Sequence, residues 1–512
     1  MNYQEHRVWS GRVATRFPTG RRPAAPLCLA AVLLILLAQG RVSKLHGASS
    51  PGSEAGQNSK DTDGFPALAD AYRSIDRFVI GDTVLVAKGA EANAQGPPRS
   101  CDPIPAGSRI LAFEENSHFI CATADASHVV QSRQHAQDKK RRPAFVRRFL
   151  FLKPSVFLVD DVLGQTASDW SARWQVRYRS EPRVAGRQLR IGDTDEELVC
   201  ETLWPVAAIP QRAPATSRAS HFTYQIELKP EAGAAEVRCV RVFQLRRADR
   251  DGAAAKSVIE NNKGCLELAI STLERTVRLS LPPPGVDAGR ITVQAADGEA
   301  IIPRRPLPAG VLPHGPQGIR LIERWDRAYR DGRRPAWDTG SPAQDLKETV
   351  EAGIVRPCRA VVLGCGSGTN AIYLAGKGFD VTAIDVAPTA LGIAETKAQK
   401  AGVRVRWLLA DVLRLPELEP FDFIFDRGCY HNVRYVDAGA FVESIRRISR
   451  PGTRFLVLSL NRDGPPGVRE HHMRGDFSSL YEFQWLRDSG IRTGKEGKTR
   501  RVSWSAMLRR KD

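Results

Sequence analysis

Two halves of different character predict a multidomain chain: an N-terminal all-β sandwich followed by a C-terminal α/β, Rossmann-like, seven-stranded domain. Three observations carry that prediction. In 360–426, short apolar runs recur and end on a glycine turn or an acid, the pattern of parallel strands that send their loops to one carboxyl edge. In 65–302, short β-branched and aromatic runs alternate with polar residues and turns, the pattern of antiparallel sheets with one polar face. Between them, 303–318 is rich in Pro and Gly, the composition of a linker.

The α/β elements follow in order. Trp325 and Tyr329 are four apart, on one face of a lead-in helix. Ser341-Pro342 with Gln344 predicts a capped helix start, and Leu346, Val350 and Ile354 form its apolar stripe. The run from Ala360 to Leu363 reads as a buried strand. It enters Gly364, Gly366 and Gly368, which let the backbone turn tightly and approach a ligand. A helix beginning near Asn370 would aim its free N–H groups at that ligand. The second strand, Phe379 to Ile384, ends in Asp385, at the spacing where a strand-end acid meets ribose hydroxyls. Val403 to Leu409 leads into Ala410-Asp411-Val412, and Phe421 to Phe425 ends in Asp426. Thr453 to Leu460 is a fifth strand. Tyr481, Phe483 and Trp485, then Val502, Trp504, Ala506 and Leu508, alternate with polar residues, which predicts a closing antiparallel hairpin.

On these residues, the part from about Gly318 onward resembles a class I S-adenosylmethionine-dependent methyltransferase, so that 319–512 is expected to be a methyltransferase domain. GCGSG at 364–368 is similar to the family's first motif, Asp385 to its second, and Ala410-Asp411-Val412 to its adenine-contacting segment. WDRAY at 325–329 followed by PAWDTG at 335–340 resembles the thiopurine, tellurite and halide/thiol branch, in which a Trp-Asp closes over the cofactor. DRGCYH at 426–431 resembles that branch's segment after the fourth strand. The family often carries an acid two residues before the first glycine, where this chain has Val362.

The resemblance implies S-adenosyl-L-methionine as cofactor and methyl transfer to a small-molecule acceptor, a thiol or another soft nucleophile. It implies a cofactor seat of Trp337, Gly364, Cys365, Gly366, Gly368, Asp385, Val386, Asp411, Val412 and Asp426. Asp385 would hold the ribose, Asp411 the adenine amine and Val412 the ring, with Trp337 as an apolar wall. Plainer roles stand beside these: Asp385 as a turn acid, Asp411 as a helix cap, Trp337 as core packing. On the substrate side lie Cys429, Tyr430 and His431. His431 is either a general base or a shaper of the pocket, and Cys429 a small hydrophobe. No metal site is expected. Residues from about Gly318 onward are expected to fold alone.

The β-rich region 65–302 shows clear strands at Phe149–Leu152, Val156–Val159, Trp174–Tyr178 and Val237–Phe243. Arg147 to Pro154 followed by Phe157 to Val162 resembles the β-sandwich of heparinase II/III-type polysaccharide lyases, with Asp125-Ala126 and Thr202 to Pro205 fitting loosely. That resemblance implies a polysaccharide contact, although no helical toroid precedes residue 65. His118 and His128 read as structural strand histidines.

Residues 1–45 read as a signal or membrane-anchor segment and 46–64 as a linker. Arg7, Arg12, Arg16, Arg21 and Arg22 precede a charge-free apolar run, 26–38, that ends near the small residues of a cleavage site. A membrane contact through 26–39 and an anchored or exported location follow as expectations. A cytoplasmic location is the alternative, because the implied cofactor is made inside cells. The net charge of +18 raises the prospect of nucleic acid. Yet only Lys139–Arg142 and Lys498–Arg501 are compact basic runs, and neither is interleaved with aromatics. The nine cysteines include no C-x-x-C pair, which argues against zinc. A Cys101–Cys121 disulfide is a candidate in an exported chain, while the odd count favours free buried thiols. Small-molecule methyl transfer therefore leads. A carbohydrate-binding or lyase-derived protein with an appended methyltransferase is the alternative, and a nucleic-acid methyltransferase the second alternative.

Overall fold

The computed structural model describes 77–80, 83–86, 109–127, 145–164 without 154, the strands and turns of 172–178, 183–192, 196–212, 222–228 and 236–247, and 255–512 without 284–286, 331, 333 and 494–498. All of these lie in one compact unit, Asn58–Asp512. The expected signal segment, its linker, Cys101, His128 and Lys139–Arg142 lie outside the described residues. Among the described residues no helix is long and apolar enough to cross a membrane.

Two antiparallel sheets dominate the β-rich part. The larger runs in the order Arg109–Glu115, Phe119–Asp125, Phe145–Leu152, Val156–Gly164, Glu236–Arg247, Glu196–Trp204, Gln188–Gly192, Arg183–Ala185. The smaller is a five-stranded meander from Lys256–Asn262 to Ala300–Pro306. Strand alternation sends Phe119, Leu150, Leu158 and Val240 from one sheet, and Leu268, Val277, Leu279 and Ile291 from the other, into one apolar cluster. The adjacent acids Asp160 and Asp161 are both buried and pair with different arginines, Arg148 and Arg238 for the first, Arg147 and Arg241 for the second. Removing one partner of such a pair strands a buried charge. Cys121, expected as a disulfide candidate, is a free, buried thiol. A further five-stranded antiparallel sheet joins Gln211–Arg212, Phe222–Leu228, Ala172–Tyr178, Arg77–Ile80 and Thr83–Val86.

The α/β part is a seven-stranded sheet. Its strands are β1 (Arg359–Leu363), β2 (Asp380–Asp385), β3 (Arg406–Leu409), β4 (Phe421–Arg427), β5 (Ser449–Leu460), β6 (Tyr481–Thr493) and β7 (Thr499–Arg510). They lie in the order β3-β2-β1-β4-β5-β7-β6, parallel except for β7, which is antiparallel to both β5 and β6. The expected closing hairpin is β6–β7. Helices are α1 (Gly315–Arg330), α2 (Gln344–Glu351), α3 (Thr369–Gly376), α4 (Pro388–Lys400), α5 (Tyr430–Arg447) and α6 (Glu470–Phe477). Ala360 and Val362 enter the core on one sheet face, Val361 and Leu363 the core on the other. The central strand is thus apolar throughout because both of its faces are covered.

Three local expectations change. The cap of α2 is Ala343, with no side-chain cap bond, rather than Ser341. Asn370 instead accepts the Ala343 N–H from across the fold at 2.8 Å. Ile354 lies beyond α2 and is exposed, while Val355 is buried in its place. The segment 303–318, expected as a linker, holds the end of the last meander strand and the start of α1. Its middle adds to the α/β sheet: Ala309 donates to the Leu409 carbonyl at 2.9 Å, and Leu312 is buried with the core of the α/β part. Phe113 N–H donates to Gly310 and Leu312 N–H to Phe113, so the same segment also pairs with the β-rich part.

A fragment 307–512 should therefore be more stable than 315–512, which keeps all of α1, by about 2–4 kcal/mol, the sum of one buried leucine and one edge hydrogen bond. Paired thermal or urea melts check this. Equal melts would show that 303–318 is a linker after all.

Candidate active site

Register brings the loops together. Leu363 of β1 lies opposite Ile384 of β2 on one side and Asp426 of β4 on the other. Gly364, Asp385 and the turn after Asp426 thus leave the sheet at one carboxyl edge, beside the point where strand order reverses. Gly364, Gly366 and Gly368 all have positive φ, at 57°, 54° and 81°. Space is as restrictive as conformation. A Cβ on Gly364 would lie 2.7 Å from that of Cys429, and one on Gly366 would lie 2.7 Å from the Tyr329 hydroxyl.

Asp385 ties this loop to the next. Its Oδ2 accepts the Gly366 N–H at 2.7 Å and its Oδ1 the Ala387 N–H at 2.8 Å. Burial raises its pKa above the usual carboxylate value, against the pull of those N–H groups. The Val386 N–H also bears on the carboxylate, yet of its about four acceptor directions not all are taken. Cys365 is buried, and its thiol is pushed well up by burial. Val386 packs partly against the core.

A roof of aromatic side chains covers the glycine loop. The Trp337 Nε1 donates to the Tyr329 hydroxyl at 3.0 Å, and Trp325 meets Trp337 edge to face with centroids 5.9 Å apart. Arg427 holds the Trp337 carbonyl at 2.9 Å. Trp337 stays 42% exposed, so it is not core. Beside it, Asp338 accepts from the Ser367 hydroxyl, and Lys397 of α4 donates to Ser367 at 2.8 Å and Thr369 at 3.0 Å.

The remaining expected residues divide. Asp411 caps its own turn through the Leu413 N–H at 3.0 Å, stays partly exposed, and has a pKa raised by burial. Val412 is buried in the sheet core instead of lying open to a ring. Asp426 is fully buried, and its two oxygens accept the N–H groups of Cys429 and Tyr430 at 3.0 and 2.9 Å. It builds the start of α5 rather than facing a ligand, and burial lifts its pKa to about 7.

Tyr430 is likewise fully buried, packed at a tilt against Phe441 and Phe477, with its hydroxyl donating to Asp476 at 2.6 Å. It belongs to the core and not to the substrate side. His431 is 7% exposed, and its Nδ1 accepts the Leu460 N–H at 3.3 Å. That bond leaves the ring hydrogen on Nε2, so the neutral imidazole is a donor. Burial, with Arg462 and Arg427 nearby, depresses its pKa to about 4. Cys429 alone of the three touches the glycine loop, at Gly364, and its thiol is held well up by burial and by Asp426.

Two features were not foreseen. Asp326, 2% exposed, accepts from Thr389 at the start of α4. A polar cleft of about 660 Å³ lies at the opposite, amino edge of the strands, lined by Arg356, Asp422, Arg450 and Arg454 among others. It shares no residue with the glycine loop. No cluster of three metal-ligating side chains exists among the described residues.

Comparison with known proteins agrees with this geometry. Residues 360–452 match the methyltransferase-domain family. The chain is 29% identical over 150 residues to a 2-heptyl-1-hydroxyquinolin-4(1H)-one methyltransferase of Mycobacteroides abscessus, covering 28% of this chain and 66% of that protein. It is 26% identical over 148 residues to probable thiol methyltransferase 2 of Arabidopsis thaliana, covering 28% and 65%. It is 21% identical over 170 residues to the probable S-adenosyl-L-methionine-dependent methyltransferase TehB of Haemophilus influenzae, covering 31% and 59%. The chain thus spans just under two thirds, or less, of each relative's length.

Asp426 yields a test of the site's frame. Its folded pKa is raised, so its stabilising contribution is full below about pH 4 and is lost as pH rises through about 7. Asp426→Asn cannot ionise. Its stability relative to the parent should therefore improve as pH climbs through that window, as read by urea melts at each pH. A constant difference would show that Asp426 is ionised throughout.

Proposed function

We propose that the chain is an S-adenosylmethionine-dependent methyltransferase of a small molecule, with a soft nucleophile such as a thiolate as acceptor. The residues present fit the cofactor. The glycine loop has no room for side chains, Asp385 keeps acceptor capacity for a ribose hydroxyl, and the second oxygen of Asp411 remains for the adenine amine. When bound, S-adenosylmethionine supplies a methyl carbon on a sulfonium, open to in-line displacement. The position of Trp325 and Trp337 across the loop favours a small entrance over an open groove.

The observation that carries the choice of acceptor is that none of the three residues expected on the substrate side offers a base. Tyr430 is core, the Cys429 thiol stays protonated, and His431 is a donor with its acceptor nitrogen occupied. An acceptor that arrives as an anion needs no base, and a thiol with an ordinary pKa of about 8.5 supplies a fraction of thiolate at neutral pH. The printed acceptors of two relatives, a hydroxyquinolone and a thiol, are small molecules.

Asp385→Ala should weaken S-adenosylhomocysteine binding by roughly 1.5–3 kcal/mol, the worth of a charged acceptor. Calorimetry on the full chain measures it, and parental affinity would reduce Asp385 to a turn acid. A panel of small thiols, oxyanions and nucleic acids with radiolabelled donor tests the acceptor. Label should enter thiols, at a rate that follows thiol ionisation. Label found only in nucleic acid would overturn the proposal. An inflection near pH 6.5 that disappears in His431→Gln would make His431 the base.

A further inference from the structure

We infer that Asp326 is a positioning residue that latches α1 to α4 and so holds the aromatic roof over the cofactor cradle; the inference rests on the methyltransferase reading. The start of α4 lacks a cap of its own. Its cap position is Ala387, whose side chain accepts nothing, and Pro388 follows. The missing acceptor comes from another helix. Asp326 Oδ1 accepts the Thr389 N–H at 2.7 Å, and its Oδ2 accepts the Thr389 hydroxyl at 3.0 Å and Arg330 Nε at 2.7 Å. The carboxylate is 2% exposed, so these bonds are shielded from water and satisfy a charge that could not otherwise remain there.

The consequence is geometric. Tyr329 lies three residues along α1 from Asp326, on the same face. It packs with Ala387 and Ala390 of the α4 start, alongside Trp325 and Ile393. Its hydroxyl both fills the space over Gly366 and accepts from Trp337. Ala387 in turn donates to Asp385. One buried carboxylate therefore sets the distance between the roof and the floor of the cradle. It touches neither the glycine loop nor the open side of the site.

Thr389→Val is the informative variant, because it removes one hydroxyl bond and keeps shape. Thr389→Ser is the conservative rescue. Calorimetry with S-adenosylhomocysteine on the full chain should show affinity about 3- to 10-fold weaker in Thr389→Val, one hydrogen bond's worth, and near-parental affinity in Thr389→Ser. Asp326→Asn should weaken binding further, and less than additively when combined with Thr389→Val. A purely structural role would lower the melting temperature of Thr389→Val and leave its affinity unchanged, which overturns the inference. A parent chain that binds no S-adenosylhomocysteine removes the methyltransferase reading, and the inference falls with it. Parental binding with unaffected variants removes the latch alone.

Discussion

One carboxylate organises the carboxyl edge of the sheet. Asp385 takes the Gly366 N–H on one oxygen and the Ala387 N–H on the other. It thereby sets the glycine turn after β1 against the start of α4 after β2. Desolvation opposes this arrangement, as its raised pKa records, and the two charge-assisted bonds oppose desolvation. The glycine turn is equally constrained by its neighbours, since Cys429 and Tyr329 already occupy the space that side chains would need. The cradle is thus shaped before any ligand arrives, which lowers the ordering cost of binding.

Around that centre the chain adds contacts that come from distant sequence. Helix α4 is held at its start by Asp326 and Thr389, and along its length by Glu395, which pairs with Arg290 at 3.1 Å and Arg304 at 3.1 Å from the β meander. Gly392 brings α4 close enough that a Cβ would lie 2.7 Å from the Arg304 carbonyl. The β-rich part is therefore packed directly on the helix that carries the cofactor-side loop. At the carboxyl edge the chain thus gathers acids, backbone N–H groups and the aromatic side chains Trp325, Tyr329 and Trp337.

Much of this was legible in the sequence because local signals sufficed. Parallel strands buried on both faces show as apolar runs such as Ala360–Leu363, and the glycine turn and Asp385 sit at their ends. The closing hairpin shows as alternation from Tyr481 and from Val502. What stayed hidden depends on partners far away in sequence. Asp426 has the same strand-end position as Asp385, but its oxygens meet the N–H groups of α5. Tyr430 and His431 are adjacent to Cys429, yet the turn of α5 sends them into the core. Pro and Gly mark 303–318 as a linker by composition, while its backbone pairs with both Phe113 and Leu409. Asp326 stood within the WDRAY run, but its bond to the start of α4 gave no signal, because Ala387 looks like an ordinary uncapped start.

Hydrogen–deuterium exchange of the full chain with and without S-adenosylhomocysteine tests the central claim most directly, since it reports every loop at once. The account predicts added protection in 325–340, 364–370, 385–389 and 410–413, with none in the cleft lined by Arg356, Asp422 and Arg450. Protection confined to that cleft or to the β-rich strands, or no change at saturating ligand, would contradict it.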